Sequence, residues 1–76
     1  MNKIRRKAIT ELREEIETLR DRVQELLEEE EDYRDNMPEN LQGSERYEKA
    51  ETACDNLSSA VDSLDEAISS LEEACE

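Results

Sequence analysis

Two runs of apolar residues, each repeating with a 3.5-residue period and separated by one short break, constrain this chain more than anything else in it. Positions 9, 12, 16, 19, 23, 26 and 33 read Ile, Leu, Ile, Leu, Val, Leu, Tyr. This is an a/d heptad pattern in which the one missing a position is Glu30. Positions 47, 50, 54, 57, 61, 64, 68, 71 and 75 read Tyr, Ala, Cys, Leu, Val, Leu, Ile, Leu, Cys, an unbroken alternation of steps of three and four. Repeats sustained this long point to packed helices. A high net charge, −13, with only 34% hydrophobic residues would otherwise suggest disorder. The periodicity decides against it.

The break is Asp35-Asn-Met-Pro-Glu-Asn-Leu-Gln-Gly-Ser44. Asn36 and Pro38 stop the first helix, because the residue before a proline is driven out of helical geometry. Ser44 caps the second, and Glu45 and Glu48 suit its positive first turn. The expected layout is one domain over 1–76, with a helix at 3–35, a loop at 36–44 and a helix at 45–75. So short a link makes the helices antiparallel neighbours. The fold class is therefore all-α, a coiled-coil hairpin.

A register follows if every a residue faces a d residue. Ile9 then meets Leu71, Leu12 meets Ile68, Ile16 meets Leu64, Leu19 meets Val61, Val23 meets Leu57 and Leu26 meets Cys54. Glu30 faces the small Ala50, and Tyr33 meets Tyr47 beside the loop. On the e edge this register expects Arg6 near Glu72, Arg13 near Asp65 and Arg20 near Ser58. Exposed pairs of this kind contribute little energy, but they help select one alignment. The basic start of helix 1 (Lys3, Arg5, Arg6, Lys7) and its acidic end both oppose its own dipole. Antiparallel pairing sets them beside the acidic end and the basic start of helix 2.

Helix 2 carries Ala53, Ala60, Ala67 and Ala74 at g, with Asn56, Ser63 and Ser70 at c. Alanine is a good helix former, which is the ordinary explanation. The repetition over four heptads favours a face on which another helix docks. Two helices cover their seam on one side only, and small scaffolds gain stability by associating. A homodimer forming a four-helix bundle is the simplest expectation. Met37, Pro38 and Leu41 form the loop tip. Met37 and Leu41 are expected to fold back over the hairpin end, and recognition of a partner by this tip is the second use open to them.

The chemistry of catalysis is thin. The chain has no histidine, one glycine and two cysteines. General-base, phosphate-loop and dinucleotide signatures are absent. Glu28-Glu29-Glu30-Glu31-Asp32 lacks the alternating ligands and central glycine of a calcium loop. No metal site, no cofactor and no enzyme activity is expected. Cys54 and Cys75 lie roughly 30 Å apart along one helix, too far to bridge, so both are expected to be reduced. No stretch is long and apolar enough for a membrane, the basic start is followed by no apolar stretch, and a cytoplasmic protein is the expectation.

The phrase Asn36-Met-Pro-Glu-Asn-Leu-Gln-Gly-Ser-Glu-Arg46, with Tyr33, Tyr47, Ala50-Glu51 and Cys54-Asp-Asn-Leu57 around it, resembles small uncharacterised acidic bacterial proteins carried by prophages and mobile elements. The likeness spans roughly residues 30–72. It implies a genomic setting and no particular activity. Two functions then compete. One is a self-associating interaction or structural module that binds another protein. The other is an acidic inhibitor of phage type, mimicking nucleic acid to fill a basic groove of a host enzyme. Residues 25–35 carry −6 and residues 47–76 carry −8, which motivates the second reading. The same charge argues against direct nucleic-acid binding.

Overall fold

A computed structural model describes all residues, Met1–Glu76. It is a rod of two helices, α1 (Lys3–Asp35) and α2 (Glu45–Ala74), joined by a loop holding a 3-10 turn at Glu39–Leu41. The helices lie against each other over most of their length, and the rod measures 59 × 14 × 13 Å.

Each helix starts at a side-chain cap. The Ser44 side chain accepts a hydrogen bond from the Tyr47 backbone N–H at 3.3 Å, as its place before Glu45 suggests. Asn2 does the same for α1, accepting from the Arg5 N–H at 2.7 Å. The loop satisfies its own backbone. Leu41 N–H donates to Pro38 C=O, Gln42 to Glu39, and Ser44 to Leu41. Gly43 has φ +84°, a conformation that costs a side chain dearly, and it turns the chain from the 3-10 turn into the Ser44 cap. Met37 is buried under the hairpin end and Leu41 is half-buried.

The core is small. Five residues are buried: Leu27, Met37, Ala50, Cys54 and Val61. Leu27, Cys54 and Val61 form its centre, with Val23 and Leu57 against them. Ile9 borders the same groove as Leu71, and Glu30 the same groove as Ala50, as expected, but the face that α1 turns inward differs from the expected one. Leu19 and Leu26, expected to be covered by Val61 and Cys54, are half exposed, because α1 has rolled about its axis. Its a residues Ile9, Ile16, Val23 and Glu30 still turn toward α2, but its e residues Arg13, Arg20, Leu27 and Arg34 have replaced the d row beside them.

The ion pairs have moved as well. Arg13 Nη1 meets Glu72 Oε1 at 3.3 Å, and Arg20 Nε meets Asp65 Oδ1 at 2.9 Å. Each arginine reaches an acid one heptad beyond its expected neighbour. Arg20 pairs with Asp65 rather than lying by Ser58, and Arg13 takes Glu72 in place of Arg6. The physical reason is the length of arginine. Its aliphatic stem covers the apolar seam while its head reaches water and a carboxylate. At the open end, Lys3, Arg5, Arg6 and Lys7 form no ion pair with α2.

Candidate docking face

The roll of α1 leaves its d row without a partner. Leu12, Leu19, Leu26 and Tyr33 stand at 51%, 49%, 55% and 49% exposure, one above another over residues 12–33. Residues seven apart lie on the same side of an α-helix, displaced only slightly per heptad. They therefore form a continuous apolar ridge. Ile4 and Met1 are also exposed near the open end, off the line of the ridge, which Arg5 continues. Fully burying a leucine stabilises by about 1.5–3 kcal/mol, so each half-covered leucine leaves roughly 1 kcal/mol unrealised.

The position of the ridge on the rod follows from the ion pairs. Arg13–Glu72 and Arg20–Asp65 join e to e and mark one edge of the seam. The d row of α1 and the g row of α2 lie on the other edge. The leucine ridge and the alanine row thus share one face of the hairpin. Ala53, Ala60 and Ala67 are half-buried at the edge of the seam; Ala74, Asn56, Ser63 and Ser70 are exposed.

The charge pattern sets this side of α2 apart. The chain has 23 acidic residues, yet none occupies a g or c position of α2. The only charged side chains in those two rows are Arg46 and Lys49. Arg46 makes no ion pair within the chain, and Lys49 reaches only Glu45, at 3.3 Å. Both line a shallow groove of about 540 Å³ with Glu30, Tyr33, Glu45 and Ala50, at the loop end of the same face.

The opposite edge is closed by charge. Hydrogen bonds to Asp65 hold the Arg20 guanidinium above its ordinary value, although partial desolvation pulls the other way. Asp35 acts similarly on Arg34. Cys54 lies in the core, where burial raises its thiol above the ordinary value and keeps it protonated. Neither cysteine is in a disulfide, and the Cys75 thiol points at the Arg6 carbonyl at 3.9 Å. At the loop tip Pro38 is exposed, while Met37 faces inward.

The heptad reading missed Leu27, and with it the inward turn of the e row of α1. A signal for that row was present: positions 6, 13, 20, 27 and 34 read Arg, Arg, Arg, Leu, Arg, long stems repeated at one heptad position. No group of three or more His, Cys, Asp or Glu side chains converges as metal ligands would. No helix is long and apolar enough to cross a membrane. Comparison with protein-family models, with curated proteins and with solved structures gives no match.

Proposed function

We propose that this chain is a non-catalytic protein-interaction module, a stiff acidic hairpin that works by laying one apolar face on another protein. The observation that carries this reading is the exposed ridge Leu12–Leu19–Leu26–Tyr33 beside a carboxylate-free edge of α2. A surface ridge of large apolar residues is a poor solvent face and a good docking face. Acidic residues on the remaining sides keep the rod soluble and discourage contact elsewhere. A cytoplasmic setting is part of the proposal. So is a prophage origin, on the resemblance of the loop phrase to small proteins of mobile elements.

Site-specific photocrosslinking in living cells tests the reading. A photoreactive residue at position 19 should capture protein, and one at Ser59, on the outer side of α2, should capture little. Equal capture at both positions would remove the docking face. The inhibitor reading makes a different demand. An acidic mimic engages its target through charge, so its complex should dissociate steeply as salt rises, whereas an apolar face holds.

A further inference from the structure

The docking reading leaves the occupant of the face open, and the geometry points to a second copy of the chain. We propose that two hairpins pair face to face about a two-fold axis parallel to the rods. The leucine ridge of each copy then lies on the alanine row of the other, forming a four-helix bundle with all neighbours antiparallel. This inference rests on the docking face itself being used.

Three observations support the second copy. The first is the match of levels along the rod. Ile9 lies beside Leu71 and Glu30 beside Ala50, while the ion pairs set Arg13 across from Glu72 and Arg20 across from Asp65. That alignment places Leu19 at the height between Ala60 and Ala67. Leu12 falls between Ala67 and Ala74, and Leu26 between Ala53 and Ala60. A two-fold axis parallel to the rods preserves these heights in the partner. Each leucine therefore meets the alanine row of the partner within one interval of that row, a large side chain of one copy on small ones of the other.

The second is size. The rod's silhouette is 59 × 14 Å, roughly 800 Å², so pairing along its whole length leaves room for the area of about 800 Å² that one partner buries in a standard interface. A perpendicular two-fold axis would use the same area but set leucine on leucine and alanine on alanine. Its two cross-rod contacts would then differ in width and wedge the bundle open. Large-on-small packing keeps all four spacings alike.

The third is charge. Two copies of a −13 chain repel, so a carboxylate on one side of the contact must not meet a carboxylate on the other. Beside the ridge, α1 carries Glu15 and Glu29, and the α2 rows that would face them in the partner hold no acid. At the loop end they present Arg46 and Lys49, and Glu29 and Asp32 flank the ridge of α1 at the same height. Across the pair, these become opposite charges.

Sedimentation equilibrium of the full chain at micromolar concentration should give twice its 8.9 kDa mass. Leu19→Glu with Leu26→Glu should return it to one, with helix content largely kept because both side chains are exposed within the hairpin. Ser59→Glu should leave the pair intact. The arrangement is read by mixing two single-cysteine chains, both carrying Cys54→Ala and Cys75→Ser. A Leu19→Cys chain should form a mixed disulfide with an Ala60→Cys or Ala67→Cys chain in preference to bonding its own kind. Dominance of the 19–19 disulfide would overturn the leucine-on-alanine pairing. A monomeric wild type whose position 19 still captures protein in cells would overturn self-association and leave the docking face standing. A monomer with no more capture at 19 than at Ser59 would overturn both.

Discussion

Arg20 holds Asp65 with two hydrogen bonds across the seam, Nε to Oδ1 at 2.9 Å and Nη2 to Oδ2 at 3.4 Å. The fork of guanidinium on carboxylate is geometrically demanding, so it reports the register of the hairpin. Arg20→Asp should lower the melting temperature, and so should Asp65→Arg. Combining them should restore most of the loss, more completely at low salt than at high salt. Arg20→Asp with Ser58→Arg should restore nothing. Rescue by Ser58→Arg would mean that the helices sit one heptad away from the alignment described.

The loop offers a cleaner backbone test. Gly43 sits at φ +84°, and nothing lies within 4 Å of where a Cβ would stand. A substitution there meets no neighbour, only its own backbone. Gly43→Ala should cost about 1–2 kcal/mol. Gly43→Asn should cost less, since asparagine tolerates left-handed geometry, and Gly43→Val should cost most. Chemical denaturation orders the three. A flat series would place Gly43 outside this conformation.

Much of this layout is readable from residues alone. Asn36 and Pro38 mark the stop of α1, Ser44 marks the start of α2, and the unbroken repeat of α2 marks its inner face. The roll of α1 is not readable in the same way. Its apolar arc includes a residues, d residues and Leu27 at e, which is wider than one neighbouring helix can cover. Hydrophobicity says that the arc must be covered, not which half the hairpin takes. In the structure the hairpin takes the a and e rows, with Arg13 and Arg20 reaching Glu72 and Asp65 across the seam. Exposed pairs of that kind contribute too little to set the roll alone, so an uncovered d row is the expected cost of a seam that one neighbour cannot fill. Sequence reading placed a docking surface on the alanine and serine positions of α2. The structure sets the leucine ridge of α1 beside them, and that ridge supplies the bulk that the small residues lack.

The thiols give a pH-dependent prediction. Burial raises Cys54 above its ordinary value of 9.0, so folding holds its proton in place. The stability this contributes is complete below 9.0 and is lost as pH rises through the raised folded value. Melting temperature should fall more steeply with alkaline pH in the wild type than in Cys54→Ala. Alkylation at mildly alkaline pH should follow the same logic, since the thiolate is the reacting form. Mass spectrometry should find Cys75 modified well before Cys54. Faster labelling of Cys54 would place it outside the core.

Leu26 and Leu27 are neighbours in sequence with opposite situations, which makes them the sharpest comparison in the chain. Leu27 is buried against Cys54 and Val61, and Leu26 is 55% exposed on the outer ridge. Leu27→Ala removes core contacts inside one hairpin, at a cost of about 2–5 kcal/mol. That cost should be independent of protein concentration, because both partners of the lost contact belong to the same chain. Leu26→Ala should do little to a dilute hairpin. If the ridge packs on a second copy, its effect should grow with concentration, as linkage between association and folding requires. Denaturation of both variants over a wide concentration range therefore separates the two rows of α1. Equal, concentration-independent losses at 26 and 27 would mean that Leu26 is held inside its own hairpin, and the ridge would cease to exist as a surface.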